Sequence, residues 1–373
     1  MDSFRNLAKS YIPPVVMVPI IQTILSLPYG MSRYVIGNLT APAKSQWSWI
    51  TMVKQSTWKG AWIGPSMSDC TDNEAELLQR IKSADLIIYK AHGGAFRLGH
   101  CLMYMDVFIT WIELLKTKYN INALILSIDY SLAPEYQYPV PVIECVGAYH
   151  YLIDTLQIPG SKIILSGDSA GGALCLETLI RVYAPDMLEN LDAPRTNFAA
   201  ELPAGMLLVS PLVSADTHTW LWEYKEDLIT QSLATQVFKE YLNMPDATNH
   251  EDLHLLKLAR IRSGYNRFAP KNLLCYVGKR EVMRDVILTL AESARSDGST
   301  NVQVRQENFE HNWYFIRELV GYRDKHILDH CDAEFVDFAA RCLKEASIEV
   351  FVEPSSCITP DKVLVKETVI SPV

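Results

Sequence analysis

The chain has 373 residues, of which 49% are apolar and 21% charged. That composition supports a large buried core and excludes collagen-like, low-complexity and wholly disordered classes. Lys and Arg number 34 against 43 Asp and Glu, a net −9, so no nucleic-acid partner is expected and no polybasic membrane patch is offered.

The N-terminus comes first in chain order. No charge falls between Lys9 and Arg33, and residues 12–29 read IPPVVMVPIIQTILSLPY. The length approaches a membrane span, but Pro13, Pro14, Pro19 and Pro28 interrupt it, and residues 20–27 are too few to cross a bilayer. A buried or substrate-covering helix is the first expectation, membrane association through residues 12–29 the second and a cleaved signal the third. Eight scattered cysteines, none in a C-x-x-C pair, suit a reducing, cytoplasmic setting. Association with the endoplasmic-reticulum membrane is the alternative that goes with an N-terminal anchor.

Strand candidates follow at 47–54 and 60–63. From residue 86 short apolar runs alternate with helical periodicity: strands are expected at 86–91, 123–128, 162–166, 205–210, 273–277 and, more weakly, 302–309. Runs apolar on both faces are what a parallel sheet covered on both sides requires. Helical stripes lie between them at Val142, Val146, Tyr149, Ile153 and Leu156, at Leu176, Leu179, Ile180 and Tyr183, and at Phe335, Phe338, Ala339 and Cys342. The alternation predicts an α/β fold with a doubly wound, mostly parallel sheet. Residues 213–270 are far longer than a strand connection and carry Trp220, Trp222, Tyr224, Phe238 and Tyr241. Those rings are expected as local core first and as a substrate pocket second.

Glycine is scarce, 17 residues in all, so its placement is informative. Residues 161–172 read SKIILSGDSAGG, a G-x-S-x-G with a strand before it and an amphipathic helix after it. A sharp strand-to-helix turn there would raise Ser169 above the sheet edge as a nucleophile, with the N–H of Ala170 facing an oxyanion. His92-Gly93-Gly94-Ala95-Phe96 follows the 86–91 strand. Bare backbone at Gly93 and Gly94 could complete the oxyanion hole, and His92 is expected to order the loop.

HGGAF at 92–96, DYSLAPE at 129–135 with Pro139, and GDSAGG at 167–172 together resemble the hormone-sensitive-lipase-like branch of α/β-hydrolase esterases, over roughly residues 85–345. The style is similar to that of fungal members, including steryl-acetate-hydrolase-like proteins and hydrolases of secondary-metabolite pathways. The resemblance implies an α/β-hydrolase fold with a helical cap. It divides the chain into an N-terminal cap segment at 1–46, a core at 47–212 and 271–347, a cap insertion at 213–270 and a tail at 348–373.

It also implies a triad in the order Ser, acid, His. The acid is expected just past the strand ending at Val277, in GKREVMRD at 278–285. The family pattern aligns Glu281 with the acid and Asp285 with a structural carboxylate, although the family more often has Asp at the first position; Asp285 is the alternative acid. Of nine histidines only 311, 326 and 330 lie beyond. His311, after the last strand, is the expected base, and His326 and His330 read as a solvated helix face, not a metal site. The expected chemistry is acyl transfer on a small apolar ester with a short acyl group, without metal or cofactor. Phe96, Trp220, Trp222 and Tyr224 are candidate substrate contacts. A biosynthetic thioester, amide, condensation or cyclisation step is the enzymatic alternative, and a non-catalytic ligand-binding protein the alternative of another class.

Overall fold

The computed structural model describes residues 13–189, 201–242 and 258–351. Residues 1–12, part of the 213–270 insertion, Cys357 and most of the 348–373 tail lie outside them.

Two helices, α1 (Pro14–Ser26) and α2 (Tyr29–Leu39), precede the sheet. Pro14 sits at the start of α1, where its missing N–H costs no helical bond. The helix nonetheless runs through Pro19, so that proline does not end the apolar piece as the sequence suggests. At 1.5 Å per residue α1 is about 20 Å long, short of a ~30 Å hydrocarbon layer. No helix among the described residues is long and apolar enough to cross a membrane.

Eight strands form one sheet: β1 (Ile50–Lys54), β2 (Lys59–Ile63), β3 (Leu86–Ala91), β4 (Ala123–Ile128), β5 (Ile163–Asp168), β6 (Gly205–Val209), β7 (Asn272–Gly278) and β8 (Asn301–Glu307). Their order is β1-β2-β4-β3-β5-β6-β7-β8. β1 and β2 are antiparallel, and everything from β4 to β8 is parallel. Every predicted strand is present, two with the expected ends and the others with ends moved by one to three residues. Trp47 and Trp49 fall in a short 3-10 turn, not in β1.

The remaining longer helices are α3 (Glu74–Ser83), α4 (Met105–Tyr119), α5 (Val140–His150), α6 (Ala170–Tyr183), α7 (Gln231–Leu242), α8 (Arg284–Ser296) and α9 (Lys325–Phe351). Alternate residues of β3 explain the winding. Ile87, Tyr89 and Ala91 pack in one core with residues of α5, α6 and α8, while Leu86 and Ile88 join α4 and α9 in the other. All six β3 residues are buried.

Lys90 is the exception to that apolar strand. Its ammonium is wholly buried and pairs with Asp168 at the end of β5, over the Phe315 ring at 4.0 Å. Burial pulls the Lys90 pKa down, and Asp168 opposes that pull. Lys90→Met would leave Asp168 buried without its counter-charge, a defect worth about 3–5 kcal/mol. A urea titration should show a loss of that order; a loss under about 1 kcal/mol would contradict this account of the buried pair.

Candidate active site

Ser169 occupies the turn between β5 and α6 with φ 49° and ψ −121°, a backbone state L-residues rarely adopt. Its N–H donates to the Val209 carbonyl at 2.9 Å, which ties the turn to β6. Gly171 makes the turn feasible: a Cβ there would sit 2.2 Å from the Ala91 carbonyl oxygen. Ala170 is the first residue of α6, so its N–H has no acceptor within the helix and points from the positive end of its dipole.

His311 follows β8 and is buried. Its Nε2 lies 2.9 Å from Ser169 Oγ and its Nδ1 3.0 Å from Glu281 Oε2. Glu281 is fully buried, and its other oxygen accepts from the Gly278 N–H at 3.1 Å. A proton on His311 Nδ1 satisfies Glu281 and leaves Nε2 free to accept from the serine hydroxyl. Burial by itself would lower the His311 pKa. The Glu281 hydrogen bond and charge, helped by Asp227 and Asp168, outweigh burial and raise it. Asp285 stands apart: it lies in the first turn of α8, about half exposed, paired with Arg284. His326 Nδ1 donates to the Arg323 carbonyl, and His330 contacts Arg305. No group of His, Cys, Asp or Glu suited to a metal occurs among the described residues.

The residue before the nucleophile organises a second layer. Asp168 accepts from Lys90, from Tyr104 Oη at 2.7 Å and from Asn312 Nδ2 at 2.8 Å. Asn312 also donates its N–H to Ser210 Oγ at 3.0 Å. The loop carrying His311 is thereby fastened to the ends of β5 and β6.

A cavity of about 300 Å³ opens over Ser169 and His311. Its wall is mostly aliphatic: Met17, Ile20, Ile21, Ile24 and Leu25 of α1, Ile36 and Leu39 of α2, and Leu228, Ile229 and Leu233 of the insertion. Both segments outside the core therefore line one cavity. Asp106, Arg317 and Glu318 form a polar part of the wall.

The residues expected at the substrate are placed differently. The cavity is lined by Gly94 and Ala95, not by Gly93. Gly93 is buried, and a Cβ there would lie 2.3 Å from Asp168 Oδ2. Gly94 has φ 111°, and Ala95 and Phe96 also have positive φ; Gly94 and Ala95 line the same cavity as Ser169. Phe96, Trp220, Trp222 and Tyr224 are not in the cavity wall. Phe96 is wholly buried and stacks on Tyr241 with centroids 3.8 Å apart. Trp220 packs on Trp222 and Phe238, and the Tyr224 hydroxyl accepts from Arg284 at 2.9 Å. These rings fill the contact between insertion and core, because an aromatic face buries more area against a neighbour than against an open cavity. The wall instead comes from α1, α2 and residues 228–233, whose aliphatic side chains carry no motif.

Comparison with known proteins agrees with this architecture. A family model described as the alpha/beta hydrolase fold matches residues 88–315. Lipase 2 of Moraxella sp. (strain TA144) is 30% identical over 249 residues, which cover 61% of this chain and 54% of that protein. Hormone-sensitive lipase of Homo sapiens is 37% identical over 109 residues, 28% of this chain and 10% of the human protein. The chain thus spans about half or less of the curated relatives it matches. Among solved structures, a hormone-sensitive lipase from a metagenome library superposes with TM-score 0.63 at 19% identity, covering 89% of this chain and 99% of that one. With the motifs at 92–96 and 167–172 inside the matched span, the chain belongs to the α/β-hydrolase fold family.

Proposed function

We propose that the chain is a serine carboxylester hydrolase acting on esters with an apolar body and a short acyl group. The observation that carries this is the unbroken Ser169–His311–Glu281 hydrogen-bonded chain at the floor of an aliphatic cavity. His311 Nε2 takes the Ser169 proton as Oγ bonds to the ester carbonyl carbon. The carbonyl oxygen becomes an oxyanion held by the N–H groups of Gly94, Ala95 and Ala170. Glu281 stabilises the imidazolium, which returns its proton to the departing alcohol. Water, deprotonated by His311, then attacks the acyl-enzyme and frees the acid and Ser169. The similarity to two lipases supports the same reading.

A fluorophosphonate probe tests it. Folded protein should be labelled on Ser169 and should hydrolyse p-nitrophenyl acetate; an unlabelled Ser169 would overturn the proposal.

The charge environment also sets a pH dependence. His311 acts as base only when neutral, and its pKa is raised above 6.5 with Glu281, Asp227 and Asp168 facing it. Activity should therefore climb as pH rises through a midpoint above about 6.5. A kcat/KM profile with its acid midpoint below 6 would contradict this electrostatic account.

A further inference from the structure

Asp227 lies in the insertion, between exposed Glu226 and buried Leu228, and its side chain is buried. Three backbone donors converge on its carboxylate. His311 N–H reaches Oδ1 at 2.7 Å, Leu228 N–H reaches Oδ1 at 2.8 Å, and Val282 N–H reaches Oδ2 at 2.8 Å. Val282 is the residue after Glu281, so one carboxylate grips both loops that form the Glu281–His311 bond. The grip on the acid loop is returned: Leu221 N–H donates to the Val282 carbonyl at 2.8 Å. From the other side, Gln22 of α1 donates its amide to the Asp227 carbonyl at 2.7 Å. Leu228 and Ile229, the next two residues, line the cavity.

We propose that Asp227 is a positioning residue that holds the Glu281 and His311 loops in register and couples them to the cavity wall. The inference rests on the serine-hydrolase reading above. Only a carboxylate supplies two acceptor oxygens to three donors here. An amide would turn its NH2 toward one of them, and an apolar residue would leave three buried N–H groups without acceptors. A displacement of either loop lengthens the His311–Glu281 contact, and misplacement on the scale of 1 Å costs about a hundredfold in rate. The charge matters as well as the geometry. The ionisable groups facing Asp227 are His311 and Glu281, and α1 presents the uncharged Gln22. Burial lifts the Asp227 carboxyl to about 7, with the His311 charge and the N–H donors resisting the rise. In its ionised form it adds to the anionic field that favours the His311 imidazolium.

The test is Asp227→Asn in the full chain, with active sites counted by fluorophosphonate titration. Expected are a kcat per titrated site lower by about 10–100-fold, a KM for p-nitrophenyl acetate within about twofold, and an acid midpoint of kcat shifted down by about half a pH unit. A purely structural role would reduce the titratable fraction and Tm but leave kcat per site and the midpoint unchanged, and that result overturns the proposal. Should Asp227→Asn not fold, Gln22→Ala decides. A fall of about threefold or more in kcat per site supports the coupling, and an unchanged kcat refutes it. Failure of the serine-hydrolase reading is separable, because wild-type protein would then take no label.

Discussion

Replacing Ser169 by alanine is expected to lower kcat on p-nitrophenyl acetate by about 10⁴–10⁶-fold while leaving the fold intact. The loss is large because the hydroxyl is the atom to which the acyl group would be transferred, and a methyl group cannot take its place. The fold should survive because the strain at φ 49° belongs to the backbone, which alanine meets with the same Cβ. The turn keeps its bond from the Ser169 N–H to the Val209 carbonyl, and the α6 helix behind it is buried against the core. What is removed is one hydrogen bond to His311, worth about 1 kcal/mol in stability. Thermal unfolding should therefore place the variant within a few degrees of wild type. Residual turnover near wild-type level in a variant that no longer takes the fluorophosphonate label would move the nucleophile elsewhere.

Much of this site could be read from sequence because its chemistry is written locally. The elbow needs a strand, a glycine-flanked turn and a helix in unbroken order, and residues 163–183 supply all three in about twenty positions. The sheet was legible for a related reason: β3, β4 and β5 are buried on both faces, which leaves continuous apolar runs. The base could be found because few histidines lie late in the chain. The cavity wall was not legible. Its aliphatic residues in α1 meet Ser169 only through tertiary packing, and their apolar pattern equally suits a core or membrane surface. The aromatic residues of the insertion suit a substrate pocket by pattern, yet Trp220 packs on Trp222 and Tyr241 on Phe96. Gly93 offers the bare backbone an oxyanion hole needs, but it is bare to make room for Asp168. Ala95, which does face the cavity, carries no glycine to advertise its positive φ. Asp227 was hidden most completely. It is 84 residues from His311 and 55 from Val282, and nothing in Glu223-Tyr-Lys-Glu226-Asp227 separates it from the exposed carboxylates beside it.

The choice between two carboxylates gives the second large effect. Glu281→Gln is expected to cut kcat by about 10⁴-fold, whereas Asp285→Asn should change it less than about threefold. The asymmetry follows from what each oxygen faces. Glu281 offers one oxygen to the Gly278 N–H and the other to His311 Nδ1. A glutamine has one acceptor for these two donors. If its oxygen stays on Gly278, its NH2 meets Nδ1 and forces the proton onto Nε2, so the imidazole donates toward Ser169 and cannot act as base. If its oxygen turns to His311, the Gly278 N–H is left buried without an acceptor at the end of β7. Either arrangement also removes a charge that raises the His311 pKa, so the remaining activity should show an acid midpoint at lower pH. Asp285 has no comparable station. It is half exposed, bonded to Arg284 and placed where a carboxylate favours the start of α8, an effect of about 0.3–1 kcal/mol on stability. Steady-state kinetics on the two variants, with active sites counted by the same probe, separates the roles. If Asp285→Asn proved the more damaging, the orienting carboxylate would be Asp285, and the buried Glu281 would have to serve the β7 turn alone.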